Sequence, residues 1–187
     1  LAQRYGNHPA LHMWHVSNEY NYDCHCPRCQ KAFQDWLKQR YGTIDNLNDS
    51  WWNTFWSHRF SGFEQVESPT TPSFLGEWES PNHNLAWRRF CSDHLADFFR
   101  LECEPLRKYA PHIPVTANLM HTFPGIDYFE LGRRMDTVSW DNYPRWKNDE
   151  RDRDISQWTD FRHDLMRGTG GQKPFLMMES CPGAVNW

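Results

Sequence analysis

Strand-like apolar runs alternate with longer amphipathic stretches along most of the chain. Short runs rich in apolar residues predict strands, whereas apolar residues spaced three and four apart predict helices. Strands separated by helices are typical of parallel pairing with right-handed crossovers, so the pattern predicts an α/β fold. The predicted strands are Leu11–Val16, Pro114–Met120, Thr137–Asn142 and Pro174–Met178, and the main predicted helices are Arg28–Arg40, Asn84–Tyr109 and Asp154–Arg167.

The last of these helices has a distinct apolar stripe. Its members are Ile155, Trp158, Phe161 and Leu165, which recur at spacings of three and four. Such a stripe normally packs on the core. We therefore expect all four side chains to face inward.

Two of the predicted strands end in a carboxylate. Leu11–Val16 is followed by Asn18-Glu19, and Pro174–Met178 is followed by Glu179. In an α/β barrel the carboxyl ends of the strands converge on one face, where the active site lies. Two carboxylates on that face can hydrolyse a glycosidic bond. One serves as acid and then base, and the other is a nucleophile or activates water.

A long connection separates the first two predicted helices. It runs over residues 41–83, is rich in aromatic residues and also carries several prolines. Connections of this length are usually functional or disordered, and the aromatic residues favour function. The chain has 11 tryptophans, and we expect most in the core and two or three at a ligand site.

Composition excludes several classes of protein. The chain has 187 residues, is 39% hydrophobic and carries a net charge of −4, which together favour a globular domain over a disordered segment or a nucleic-acid binder. No apolar stretch approaches the roughly 20 residues that span a bilayer. The first residues do not match a signal peptide, so we expect a cytoplasmic protein.

Three of the six cysteines lie close together, at Cys24, Cys26 and Cys29. Such crowding suits a metal better than a disulfide framework. Thiolates are typical zinc ligands, but a structural zinc site needs four ligands. Three reduced thiols in a loop remain an alternative, and His25 is a further candidate ligand. His15 and the other scattered histidines show no ligand spacing, so we interpret them as structural.

Several of these motifs occur together in a known family. They are Trp14-His15-Val16-Ser17-Asn18-Glu19-Tyr20, Cys24-x-Cys26-x-x-Cys29, Ser139-Trp140-Asp141-Asn142-Tyr143-Pro144 and Pro174-Phe175-x-x-Met178-Glu179. In this combination the chain resembles the bacterial β-galactosidases of glycoside hydrolase family 42. The resemblance implies a (β/α)8 TIM barrel and hydrolysis of terminal β-D-galactose with retention of anomeric configuration.

The resemblance also implies roles for individual residues. Glu19 would be the acid/base after the fourth barrel strand, and Glu179 the nucleophile after the seventh. Substrate-binding roles fall on Asn18, which hydrogen-bonds the sugar, and on Trp187, Trp56 and Tyr143. In the family's homotrimers the residue matching Trp56 can reach a neighbouring subunit's site. Cys24, Cys26 and Cys29 match a structural zinc site whose fourth ligand lies before residue 1.

On this basis we interpret residues 1–187 as a partial catalytic barrel covering strands four to seven, and we expect the isolated chain to be inactive. Two alternatives stay open. One is a related exo-glycosidase acting on α-L-arabinopyranosides or β-fucosides. The other is a non-catalytic zinc- or carbohydrate-binding module.

Overall fold

The computed structural model describes residues 1–21, 23–69, 80–144, 152–171 and 173–181. The chain forms two compact units. The first joins Leu1–Asn21 to Ser92–Trp187, and the second is Tyr22–Cys91. Among the helices of these described stretches, none is long and apolar enough to cross a bilayer.

The first unit contains all the strands of the described chain, and every pairing between them is parallel. One sheet pairs β1 with β2, and the other has the order β3-β4-β5. The predicted α/β class is confirmed, as a partial barrel of parallel strands. The strands are β1 Trp14–His15, β2 Val115–Thr116, β3 Asn118–Met120, β4 Ser139–Asn142 and β5 Leu176–Ser180.

The single strand predicted over Pro114–Met120 is divided at Ala117. Its first part pairs with β1, where Trp14 lies opposite Val115, and its second part pairs with β4, where Asn118 lies opposite Ser139. One continuous segment therefore connects the two sheets. Ala117 is fully buried between them.

The β4–β5 ladder contains an irregularity. Trp140 pairs with Met177, but the next residue, Asp141, pairs with Glu179, so Met178 is an extra residue on β5. Such a bulge re-aims the side chains that follow it. Here it places the carboxyl-bearing residues Asp141 and Glu179 directly opposite each other.

The helices begin and end close to the predicted positions. The helix α2, Pro27–Tyr41, begins with Pro27 at the N1 position. It ends at Gly42, whose φ of +74° is a conformation that glycine adopts readily. Short helices that the apolar pattern did not predict are α1, α3 and α5. The helices are α1 Ala2–Tyr5, α2 Pro27–Tyr41, α3 Ile44–Ser50, α4 Pro81–Tyr109, α5 Tyr128–Arg134 and α6 Asp152–Thr169.

The predicted inward stripe of α6 is partly wrong. Ile155 is buried, but Trp158 and Phe161 are 56% and 53% exposed. The buried face of α6 is instead defined by Ile155 and Met166, and at 100° per residue Phe161 lies far round the helix from both. Trp158 and Phe161 pack edge to face on each other, with ring centroids 5.9 Å apart.

The second unit has its own aromatic core. Phe33 and Leu37 of α2 pack with Leu47 of α3, and with Trp51 and Val66 from the connection that follows. Much of the connection predicted over residues 41–83 therefore forms ordered structure in this unit, and residues 70–79 of it lie outside the described part of the chain.

Candidate functional site

Three carboxyl groups meet at the carboxyl ends of the strands in the first unit. Glu19 follows β1, Asp141 lies near the end of β4, and Glu179 lies near the end of β5. One carboxylate oxygen from each lies within 4.8 Å of the others. The predicted pair of glutamates is therefore brought together, and Asp141 is a third member that the sequence analysis did not identify.

Glu179 is held by two neutral donors. The hydroxyl of Tyr143 donates to Oε2 at 2.6 Å, and the amide of Asn118 donates to Oε1 at 3.1 Å. The hydrogen bond to Glu179 and burial together raise the pKa of Tyr143 to about 12. The hydroxyl consequently stays protonated at neutral pH and continues to donate. Donors of this kind favour an ionised carboxylate.

Asn118 connects the members of the site. Its Oδ1 accepts from the backbone N–H of Glu19 at 3.0 Å, which fixes the orientation of the amide. Its Nδ2 therefore faces oxygens of Asp141 at 2.7 Å, Glu179 at 3.1 Å and Asn18 at 3.2 Å. Nε2 of His15 lies 2.9 Å from the same Oδ1 and must carry the proton of this bond.

The backbone at Glu19 is strained and well anchored. Its φ is +46°, in the left-handed region that non-glycine residues rarely adopt. Tyr20, which follows, is buried and packs edge to face on Phe98 and Phe99. The Tyr20 hydroxyl donates to Oε2 of Glu102. The anchored ring and the hydrogen bond to Asn118 hold the strained turn on both sides of Glu19.

Asp141 is only 1% exposed. Its Oδ2 accepts from Asn118, whereas Oδ1 is buried without a hydrogen-bond donor among the described residues. Burial raises the pKa of Asp141 to about 7, reinforced by the charge of Glu179 and by the neighbouring Glu19, while the hydrogen bond from Asn118 opposes the shift. A buried carboxyl with these neighbours holds its proton into the neutral range.

The other predicted ligand residues are distributed as follows. Asn18 lies beside the carboxyl cluster, where its Oδ1 accepts from Asn118. Trp56 belongs to the second unit, is 60% exposed, and lies against Phe55 with ring centroids 4.7 Å apart. Trp187 lies outside the described residues.

Sequence reasoning missed three residues of this site, namely Asn118, Asp141 and His15. Asp141 is the penultimate residue of the predicted strand Thr137–Asn142. This position near a strand end, which resembles that of the two glutamates, is the signal that would have found it. Asn118 lies inside a predicted strand, where polar residues are uncommon, and this is the signal that would have found it. His15 has no recognisable signal, because its role depends on a partner 103 positions away.

The second unit holds the predicted thiol cluster. Sγ atoms of Cys24, Cys26 and Cys29 all lie within 4.8 Å of one another, and those of Cys26 and Cys29 are 3.5 Å apart. Hydrogen bonds from the backbone and thiol of Cys29 lower the pKa of Cys26 to about 7. Three converging thiols, one readily ionised, form a donor set that fits Zn²⁺. No fourth His, Cys, Asp or Glu joins them among the described residues.

His25 is unsuited to be that fourth ligand. Its Nε2 lies 2.8 Å from Asp23, its Nδ1 lies 2.9 Å from Ser68, and its ring stacks on Trp87 at 4.9 Å. Both ring nitrogens are therefore engaged, and the ring of this exposed residue is held against Trp87.

Chemically, the carboxyl cluster places a carboxylate that accepts two hydrogen bonds beside a buried carboxyl whose pKa is raised. Glu179 faces two donors, and Glu19 and Asp141 lie within reach of each other. An atom placed between Glu19 and Glu179 could be attacked by one group and receive assistance from the other. This combination is typical of acid/base and nucleophilic chemistry at a single centre.

Comparison with known proteins places the chain in a family. The family model described as β-galactosidase, glycoside hydrolase family 42, matches residues 1–187. The chain is 47% identical to a β-galactosidase of Alicyclobacillus acidocaldarius over 187 residues, and 48% identical to one of Bacillus licheniformis over 195 aligned positions. It is covered completely in both alignments, but it spans only 27% and 28% of those two proteins.

Solved structures give the same result. The cold-adapted β-galactosidase from Rahnella sp. R3 matches with a TM-score of 0.94 at 45% identity. A catalytic mutant of a GH42 β-galactosidase from G. stearothermophilus matches with a TM-score of 0.93 at 46% identity. The whole chain is covered in each match, together with 27% and 28% of the respective structures. From its sequence and its fold, the chain belongs to the β-galactosidase family 42 of the glycoside hydrolases.

Proposed function

We propose that this chain supplies both catalytic carboxyl groups of a retaining enzyme that hydrolyses terminal β-D-galactosides. The observation that carries the proposal is the approach of Glu19 and Glu179, whose carboxylate oxygens lie within 4.8 Å at the ends of parallel strands. The family and its named β-galactosidases support galactose as the sugar. Since the chain spans about a quarter of these relatives, the activity is proposed for a longer protein containing it.

The short separation supports retention of configuration. Retaining glycosidases hold their two carboxyl groups about 5–5.5 Å apart, whereas inverting enzymes need about 6.5–9.5 Å to admit a water molecule. With the two groups this close, direct attack on the anomeric carbon is favoured over attack by a water molecule placed between them.

In the proposed reaction Glu179 attacks the anomeric carbon while Glu19 gives a proton to the departing oxygen. The glycosidic bond breaks as the bond between Glu179 and the sugar forms. Glu19, now ionised, then removes a proton from water, and the resulting hydroxyl displaces Glu179. Tyr143 and Asn118 donate hydrogen bonds to Glu179 and orient it before attack. Asn18, beside the cluster, is placed to donate to a sugar hydroxyl.

The test is Glu19→Ala in a full-length protein that contains this segment. We expect a loss of at least about 100-fold on substrates with poor leaving groups, because general acid catalysis is removed. Activated aryl galactosides, which need little protonation, should lose less in the glycosylation step. Azide should restore turnover and yield β-galactosyl azide, because it can replace the water that Glu19 activates.

Equal loss on both substrate types without azide rescue would contradict the role of Glu19. A panel of aryl β-galactosides, β-fucosides and α-L-arabinopyranosides on the parent protein tests the substrate. If the galactoside is not among those cleaved with the highest kcat/KM, the proposed substrate is wrong. Sugar binding without any turnover would instead favour a binding module.

We also propose that Cys24, Cys26 and Cys29 bind one structural Zn²⁺ together with a fourth ligand outside the described residues. The converging thiols and the lowered pKa of Cys26 support this. Elemental analysis of protein purified without chelator should give one zinc per chain, and Cys26→Ser should reduce it. Full zinc content in that variant would contradict the assignment.

Finally, we propose that the longer protein forms homotrimers in which Trp56 contacts a neighbouring subunit's site. The exposure of Trp56 beside the exposed rings of Trp52 and Phe55 supports a contact surface. Trp56→Ala should raise KM while leaving monomeric stability unchanged. Light scattering that shows a monomer in the parent protein would contradict the trimer.

A further inference from the structure

We propose that Asp141 is the proton-sharing partner of Glu19 and thereby sets the upper pH limit of the acid step. The proposal deepens the proposed hydrolase function and rests on it. It assigns a positioning role to a buried carboxyl that the two-carboxylate mechanism does not use.

The geometry favours a shared proton. Three carboxyl groups have oxygens within 4.8 Å of one another, and none of them forms an ion pair with Lys or Arg among the described residues. Oδ1 of Asp141 is buried and accepts no hydrogen bond from the described residues. A buried carboxylate oxygen without a donor is costly, and a proton shared with the neighbouring Glu19 removes that cost, because two carboxyl groups can hydrogen-bond when one of them carries a proton.

The surrounding groups place that proton between Asp141 and Glu19 rather than on Glu179. Oxygens of Glu179 already accept from Tyr143 and Asn118. Asp141 accepts one bond from Asn118 on Oδ2, which leaves Oδ1 to interact with Glu19.

The other titratable groups facing Asp141 do not supply a positive charge. Tyr128 of α5 and Tyr143 after β4 both interact electrostatically with Asp141, and both are neutral because their pKa values are raised, by burial for Tyr128 and by Glu179 for Tyr143. His15 of β1 contacts Oδ1 of Asn118, not a carboxyl oxygen. The charged groups that act most strongly on Asp141 are therefore other carboxyl groups, Glu179 and Glu19.

This arrangement matches the charge changes of the reaction. Before attack, Glu179 is ionised and the Glu19–Asp141 pair holds one proton, so the three groups carry two negative charges. Glu19 then releases that proton to the leaving oxygen, while Glu179 becomes a neutral ester. The total stays at two negative charges. When Glu19 takes a proton from water and Glu179 is released, the pair returns to its starting state.

The role of Asp141 follows from the state before attack, in which the Glu19–Asp141 pair holds one proton. When the shared proton lies on Glu19, Asp141 is ionised and opposes loss of that proton, because a third negative charge would arise in the cluster. In Asp141→Asn this charge is absent, and the new amide can donate to ionised Glu19. The alkaline limb of the pH profile of kcat/KM should therefore move down by about one to two pH units.

The kinetic test compares the parent, Asp141→Asn and the matched control Thr116→Val in a full-length protein containing the segment. Thr116 is buried on β2, and its hydroxyl hydrogen-bonds Thr137 and Ser139 among the described residues. We expect the control to keep the alkaline limb of the parent even if its stability falls. A limb that stays in place in Asp141→Asn, or an equal loss at every pH, would overturn the proposal.

A second measurement needs no catalytic activity and no variant. In protein labelled with [4-¹³C]aspartate, isotope-edited infrared spectra should contain a protonated aspartate carbonyl band at pH 6 that disappears by pH 9. Absence of this band at pH 6 would overturn proton sharing. Presence of the band in a protein that cleaves no galactoside would leave proton sharing intact and refute the proposed function instead.

Discussion

The carboxyl cluster of the first unit and the thiol cluster of the second bring three side chains together by different means. Glu19 and Glu179 are 160 positions apart in the chain, and strand pairing brings them together. Cys24 and Cys26 immediately precede α2, and Cys29 lies in its first turn. One site therefore depends on the whole sheet, and the other on a short local spacing.

The two clusters also differ in what completes them. The carboxyl cluster has donors aimed at it from Asn118 and Tyr143, so its charges are stabilised by the protein itself. The thiols have mainly one another and nearby backbone groups, and ionisation of all three would require a cation. We therefore expect changes in the first cluster to affect turnover and changes in the second to affect stability.

The largest effect on turnover should come from Glu179→Gln. The amide cannot form the covalent intermediate, so kcat for an aryl β-galactoside should fall at least about 10⁴-fold. Stopped assays with a long-lived substrate would measure the residual rate. Since the replacement is isosteric, the thermal midpoint should change little. Residual activity above about 1% would mean that another group can serve as nucleophile.

Asn118→Ala should have the next largest effect. Removing the amide takes the hydrogen-bond partner from the Glu19 N–H, from Oδ2 of Asp141 and from Oε1 of Glu179. We expect a loss of about 100-fold in kcat from misplacement of the reacting groups, and about 2–4 kcal/mol in the free energy of unfolding. Urea titration and steady-state kinetics would measure the two effects. Ser139→Ala, in the opposing strand position, serves as a control that should reduce stability alone.

Tyr143→Phe removes one hydrogen bond to Glu179 but leaves that of Asn118. A hydrogen bond to a charged group contributes about 1.5–3 kcal/mol, so kcat/KM should fall about 10- to 100-fold. Because the pKa of Tyr143 is raised to about 12, its hydroxyl should not titrate within the working pH range. A new limb near pH 9 in the parent that Tyr143→Phe abolishes would contradict this.

A smaller effect concerns stability and pH. The pKa of Asp141 is raised to about 7 from an unfolded value near 3.9, so the native state binds more protons than the unfolded state between those values. Its contribution to stability is present below pH 4 and is lost as pH rises to about 7. We expect about 1–2 kcal/mol of this pH-dependent loss of stability to be absent in Asp141→Asn.

Urea titrations at pH 5 and pH 8 would measure this difference in full-length protein. The parent should lose more stability than Asp141→Asn between the two values. An equal change in both proteins would show that Asp141 has an ordinary pKa in the native state.

Zinc removal should have the smallest effect on turnover. Chelation should leave kcat within about twofold while lowering the thermal midpoint, because the thiols lie in a different unit from the carboxyl cluster. In the metal-free protein, Cys26 should react with thiol reagents near pH 7. Cys91 should not, because burial raises its pKa to about 12. Parallel loss of activity and zinc would contradict a purely structural metal.

Most strands and long helices could be predicted from the sequence because their apolar periodicity is local. The division of one strand at Ala117 could not, since it follows from pairing with different partners on either side. The inward stripe of α6 was only partly right. Periodicity identifies the apolar face of a helix but does not determine how much of that face is buried by its neighbours. Trp158 and Phe161 lie on the part of the α6 apolar face that stays exposed.

The two glutamates of the site were predictable because each follows a strand, and the cysteines because their spacing is short. Asn118 and His15 were not, because an amide and an imidazole inside strands have many ordinary uses. Their importance lies in hydrogen bonds across about 100 positions of sequence, to Glu19 and to each other. Such long-range polar partners have no periodic signature.

The extra residue on β5, Met178, shifts the pairing register between β4 and β5 by one residue. With a regular ladder after Trp140 and Met177, Asp141 would lie opposite Met178, and Glu179 would lie opposite Asn142. A thioether would then occupy the position of the carboxylate beside Asp141. Deleting Met178 would join Glu179 directly to Met177 and keep it opposite Asp141, but in a regular ladder without the local bend and twist that a bulge adds. The insertion therefore contributes the direction of the Glu179 side chain as well as its pairing. A designer who copies these carboxyl groups must copy the bend together with the register.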